Sequence, residues 1–165
     1  MEKVVERIRA VVDTFRRRAR IRRAPATIAR SAVPRAMAIV AGGVDTAALQ
    51  SAFQDAGWPL AVADNTTDAL MMQMEQRFCV ILLQREAAGR DWRPAVRVLS
   101  RMAPRPCVLL LSQTPDMNLW EELVRCGGFD VVRVPLDGGA MIRTVRAGWS
   151  VWKQQPGAAT RQWNH

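Results

Sequence analysis

The stretch CVILL at residues 79–83, with its counterpart CVLLL at 107–111, decides the fold. Each is apolar at every position, without the period-two alternation of a strand that has one wet face. Short runs of that kind fit strands buried on both faces. Such strands occur almost only in parallel sheets covered by helices. Working outward, three more apolar runs fall at 37–40, 60–63 and 131–134. The five starts are 23, 19, 28 and 24 residues apart, enough each time for a helix and two turns. Five βα units in succession predict a doubly wound α/β sandwich.

The segments between the runs have readable helix ends. Asp45 or Thr46 caps the first, whose face Leu49, Ala52, Phe53 and Ala56 ends at Gly57, a left-handed stop. Asn65 to Asp68 opens the second, which carries Ala69, Leu70, Met72 and Met74. Pro94 suits the first turn of the third, followed by Ala95, Val98, Leu99 and Met102. Thr114 and Pro115 read as cap and first residue of the fourth. Its buried side is Leu119, Trp120, Leu123 and Val124, and it stops at Gly127-Gly128. The fifth begins near Gly139 and carries Ile142, Val145, Trp149 and Trp152 at spacings of 3, 4 and 3.

Charge divides the chain of 165 residues. Residues 1–35 hold 11 Lys and Arg against 3 Asp and Glu, while residues 36–165 hold 13 against 12. A basic arm of net +8 therefore precedes a nearly neutral body large enough for one ordinary domain. The chain is 49% apolar, which excludes wholesale disorder. No apolar run approaches the roughly 20 residues that cross a bilayer. No signal-peptide core follows the N-terminal charges, so a cytoplasmic protein is expected. Cys79, Cys107 and Cys126 form no CxxC, and the sole histidine is His165, so neither a metal site nor a cofactor is expected. The thiols read as buried. Residues 156–165 read as a disordered tail.

Within the arm, Val4, Ile8, Val11, Val12 and Phe15 recur at helical spacing on one face. A cationic run follows: Arg16, Arg17, Arg18, Arg20, Arg22 and Arg23. Pro25 ends the helical pattern, and residues 24–34 read as a linker. Three readings stand open. The arm is a solvated or self-associating helix, a contact with nucleic acid or an anionic membrane, or a segment that docks on its own body. Transit peptides are poor in acids, and Glu2, Glu6 and Asp13 argue against that assignment.

Residues 127–136 read GGFDVVRVPL. This is similar to the fifth-strand signature of response-regulator receiver domains of the CheY-like superfamily, where a Gly-Ala-x-Asp turn leads into a strand ending Lys-Pro-Phe. With the strand spacing and helix lengths upstream, the resemblance covers about residues 36–155. It implies a flavodoxin-like five-stranded parallel sheet of order 2-1-3-4-5, and a role in a two-component or phosphorelay pathway. No G-x-G-x-x-G follows the first run and no Walker pattern occurs, so Rossmann and P-loop readings lack their phosphate cradles.

The resemblance also assigns positions, and most are changed. The family holds Mg²⁺ with acidic residues after the first strand; MAIVAGG (37–43) puts Ala41 and Gly42 there. The phosphoacceptor aspartate ends the third strand; in CVILLQRE (79–86) its match is Gln84, whose neutral carboxamide cannot form an acyl phosphate. Ser112 in VLLLSQT (108–114) matches the usual hydroxyl. The fifth-strand lysine becomes Val134 before a kept Pro135, and the aromatic switch maps to Val131. Nucleophile, metal ligands and cation are lost together, which describes a degenerate pseudo-receiver with no catalytic residue. Asp45, Asp64 and Glu86 lie near the same strand ends, and read as a helix cap, a turn residue and a solvated loop charge.

Other residues invite weighing. Gly42-Gly43 reads as a tight turn ahead of an anion nest, and Ser112 as a turn hydroxyl. Trp149 reads as core, and Trp152, near the helix end, as a candidate interface anchor. In the receiver family the last helix, with the fourth helix and last strand, commonly forms the dimer or output face. Met71, Met72 and Met74 read as plastic core filling. The favoured function is a phosphorylation-independent module that acts by contact with a protein partner or a second copy. The alternative is a regulator at nucleic acid or a membrane surface using the arm. An enzyme on the same sandwich would lack a His-bearing triad, a phosphate loop and a metal cluster.

Overall fold

Strand β1 (Ala36–Ile39) is buried at every position, as are β3 (Val80–Gln84) and β4 (Cys107–Ser112). The computed structural model describes residues 34–155, so the readings of residues 1–33 and of the tail lie outside the described residues. Strands β2 (Leu60–Ala63) and β5 (Asp130–Arg133) are only partly covered, because they form the two edges. All pairings are parallel and the order is β2-β1-β3-β4-β5. This is the flavodoxin-like arrangement expected from the sequence.

Alternate residues of the buried strands feed two cores. Ala36, Ala38, Val80, Leu82, Leu109 and Leu111 pack on one side, with Leu49 and Phe53 of α1 (Thr46–Asp55) and Met141, Ile142 and Val145 of α5 (Gly138–Lys153). Met37, Ile39, Ile81, Leu83, Val108 and Leu110 pack on the other. They meet Ala69 of α2 (Thr66–Glu75), Ala95, Val96 and Leu99 of α3 (Arg93–Leu99), and Leu119 and Leu123 of α4 (Met117–Arg125). The unbroken apolar runs are thus the signature of a sheet with a helix layer on each face.

Most helix ends follow the sequence signals. Asp45 caps α1 and Asn65 caps α2 through side-chain oxygens that accept from Ala48 and Asp68 N–H groups, both at 2.9 Å. Helix α1 stops at Gly57 (φ 73°) and α4 at Gly127 (φ 96°). After α4, the Gly128 N–H donates back to Leu123 O at 2.9 Å, the six-to-one bond of a Schellman stop.

Three expectations are corrected. Helix α4 is capped by Asp116, not Thr114, and Met117 rather than Pro115 is its first residue. The Asp116 carboxylate accepts from Leu119 N–H at 2.8 Å, while Thr114 N–H is spent on Ser112 Oγ. Met102 lies beyond α3, which stops at Leu99 with Ser100 as its C-cap. Met71 and Met74 are 61% and 81% exposed, not core. The inward positions of α2 are instead Ala69 and Gln73, whose carboxamide satisfies the Phe78 backbone.

Candidate functional site

Gln84 is the last residue of β3 and lies one step beyond Leu83, which pairs with Ile39 at the end of β1. The chain leaving β1 therefore passes beside it. Its side chain is 5% exposed and bonds that loop in both directions. The Ala41 N–H donates to Gln84 Oε1 at 2.8 Å, and Gln84 Nε2 donates to Gly42 O at 3.1 Å. A carboxamide carries a donor and an acceptor, so it can hold an N–H and a C=O together. An ionised carboxylate only accepts and would set an oxygen against the Gly42 carbonyl.

Ser112 ends β4 and is buried. Its Oγ accepts from Thr114 N–H at 3.2 Å, and its carbonyl accepts from Val134 N–H at 3.0 Å. Val134 packs against the α1/α5 core, ahead of a cis peptide bond to Pro135. Val131 packs against the opposite core. The pocket positions Ala41, Gly42, Gln84, Ser112 and Val134 thus gather at the carboxyl ends of β1, β3, β4 and β5.

The nearby carboxylates do not converge there. Asp45 is engaged as the α1 cap, and Asp64 and Glu86 are exposed. Among the described residues no three His, Cys, Asp or Glu side chains form a metal-holding group. At the Gly42-Gly43 turn, the Gly42 carbonyl is what Gln84 engages.

Beyond the pocket, Arg93 Nη2 forks onto Glu122 Oε1 and Oε2 at 2.8 and 2.9 Å, and Nη1 bonds Asp91 Oδ1 at 2.9 Å. This joins the start of α3 to α4. The Arg93 backbone N–H, then its guanidinium, hold the Asp91 carboxyl below its ordinary range. The Glu122 fork raises Arg93 in turn. Asp130, partly buried at the start of β5, is pushed upward by desolvation, against bonds from the Val131 N–H and the Trp120 indole.

Trp149 sits edge-on to Trp58, with centroids 5.4 Å apart, and Lys153 Nζ lies 3.9 Å from its ring centroid. Trp152 is half-buried against the same core, and its Nε1 is buried without a hydrogen-bond partner. The three thiols are free and buried, and burial pushes Cys79 and Cys107 up to about 12. Cys79 and Cys107 are therefore inert thiols at neutral pH. The arginine run at 16–23 lies outside the described residues.

Two features escaped the sequence reading. The first is the Gln84 clamp, which depends on the register that brings Ala41 and Gly42 alongside β3. The second is the Arg93–Glu122 fork between residues 29 apart.

No family model matches this sequence, and no curated protein matches it. Solved structures do. A response regulator from Thermotoga maritima superposes with a TM-score of 0.65 at 18% identity, over 72% of this chain and 98% of that one. The receiver domain of a sensor histidine kinase from Pseudomonas aeruginosa, solved with magnesium coordinated in its active-site cleft, gives 0.61 at 15%, over 72% and 99%. The beryllofluoride-activated NtrC4 receiver domain dimer gives 0.64 at 14%, over 72% and 98%. At such identities the likeness shows the fold, which is that of receiver domains.

Proposed function

We propose that this chain is a receiver-like signalling module that works without phosphorylation, by protein–protein contact in a two-component-type pathway. The observation that carries this reading is the Gln84 clamp. The position that the resemblance gives to the phosphoacceptor holds a carboxamide already bonded to Ala41 N–H and Gly42 O.

The residues at this site do not fit Mg²⁺. The ion takes hard oxygen ligands, carboxylates above all, in near-octahedral geometry. Ala41 and Gly42 carry no side-chain oxygen, and the single amide oxygen of Gln84 accepts from Ala41. Val134 cannot supply the cation that would meet a transferring phosphoryl group. The clamp instead fixes the loop after β1 by direct hydrogen bonds, a task a bridging ion would otherwise perform. Its surfaces are then presented in one state, without a phosphorylation switch.

Protein contact is the activity that remains to such a fold, and one similar structure is a receiver dimer. Trp149 and Trp152 on α5, both partly exposed beside the core they pack against, are the aromatic groups we assign to such an interface. Incubation with Mg²⁺ and acetyl phosphate, followed by intact-mass spectrometry, tests the reading. The expected result is an unchanged mass; a phosphoryl adduct on the folded chain overturns it.

A further inference from the structure

Sulfur is placed very unevenly with respect to solvent. Cys79, Cys107 and Cys126 are buried, as are Met37 and Met141. Met72, Met102 and Met117 are half-buried. Met71 and Met74 stand apart at 61% and 81% exposure, and among the described residues only Val98 joins them as a large apolar side chain turned to water.

These two positions run against the usual pattern of a surface helix. Helix α2 turns a polar carboxamide inward at Gln73 and thioethers outward at Met71 and Met74. A buried polar group and exposed large apolar ones are the informative departures from ordinary packing. The inward side is complete without the two methionines. Ala69 packs beneath the helix, Leu70 and Met72 fill its flanks, and Gln73 bonds the Phe78 N–H and C=O.

An oxidant selects sulfur by access and by thiolate character. The reactive form of a cysteine is the thiolate. Cys79 and Cys107 are held as thiols, pushed up to about 12 by desolvation. Their S–H groups donate to Arg35 O at 3.1 Å and to Gly148 O at 3.0 Å. Cys126 is free but buried beneath the end of α4. The sulfur atoms open to a solute are therefore, among the described residues, the two thioethers on α2.

We propose that Met71 and Met74 form a reversible oxidation site for peroxides, a surface mark that the fold carries without unfolding. The thioether sulfur attacks one peroxide oxygen and the O–O bond breaks. Sulfur keeps that oxygen and is oxidised by two electrons, while the proton it carried passes to the leaving hydroxide, which departs as water. The product is methionine sulfoxide. Sulfoxide reductases return it to the thioether, with two thiols becoming a disulfide and the oxygen leaving as water. A sulfoxide disrupts a packed core because it is polar. At Met71 and Met74 the added oxygen meets water instead.

The test exposes the full chain to hydrogen peroxide, quenches it at intervals and maps the oxygen adducts by peptide mass spectrometry. Met71 and Met74 are expected to react at least about tenfold faster than Met37 and Met141, which react only through opening of the fold. The chain oxidised at both sites is expected to melt within about 2 °C of the untreated chain. Two sulfoxide reductases, one for each epimer, with dithiothreitol should restore both residues. The variant Met71→Gln/Met74→Gln places a polar oxygen at both positions without an oxidant, and should melt within the same margin. Oxidation of a buried methionine or cysteine as fast as Met71 and Met74 overturns the inference. So does a larger fall in melting temperature for the glutamine variant, or sulfoxides that the reductases cannot remove.

Discussion

Two buried glutamines, Gln73 and Gln84, are each 5% exposed, and they use the same chemistry at opposite ends of the sheet. Gln73, near the end of α2, accepts from the Phe78 N–H at 3.1 Å and donates to the Phe78 carbonyl at 3.4 Å. Its partner is five residues away, so it splices a helix end to the strand that follows. Gln84 makes the same pair of bonds at 2.8 and 3.1 Å, but to a loop 43 and 42 residues earlier. One glutamine closes a local turn; the other locks two βα units together. A position that the resemblance assigns to chemistry is filled by a group whose bonds are those of a structural staple.

Substitution tests that comparison. The largest effect is expected for Gln73→Leu, which strands a buried N–H and C=O on Phe78 and should destabilise by about 2–4 kcal/mol in urea titrations. Gln84→Leu is expected to cost less, about 1–2 kcal/mol, because Ala41 and Gly42 are exposed and water can replace the lost partners. Equal losses at the two sites would break the distinction between a dry splice and a half-wet lock. Gln84→Glu sharpens it through pH. The new carboxyl can donate to Gly42 O only when protonated, so its pKa rises in the folded state. Its stability should be near wild type below the ordinary Glu value of about 4.3 and fall as pH rises through the raised pKa, whereas Gln84→Leu shows no such slope.

Smaller effects fall outside the glutamines. Arg93→Lys keeps the charge but loses the fork onto Glu122, and should lower the melting temperature only slightly, less in high salt, since all three partners are exposed to solvent. Asp130→Asn is expected to give the smallest change. Burial raises this carboxyl in the folded state, so its contribution is full below the ordinary Asp value and is lost as pH rises through the raised pKa. The Asn variant should therefore gain slightly on wild type at neutral pH and lose that gain in acid, as read by thermal melts at both pH values.

The fold was legible because its signals are local or periodic. The runs at 79–83 and 107–111 admit few placements other than the sheet centre, and Gly57 and Gly127 mark helix stops by backbone geometry alone. The cap of α4 was misread because Thr114-Pro115 and Asp116 offer competing start signals within three residues, and only the Leu119 N–H decides between them. Exposure of Met71 and Met74 was missed because the helical stripe of α2 runs through a polar Gln73. At the pocket, the residue types were legible and their bonding was not. Reading Gln84 as a poor nucleophile needs only its identity, whereas seeing what it holds needs the register of β1 against β3.

The most direct measurement is a ¹H–¹⁵N spectrum of the full chain followed through titration with Mg²⁺ and beryllofluoride. The Gln84 side-chain amide, the Ala41 N–H and the Gly42 N–H should keep their positions throughout, with the Ala41 N–H protected from exchange by its bond to Gln84. Saturable shifts of these resonances would mean that the ion enters the pocket and displaces the clamp, and the account would fail.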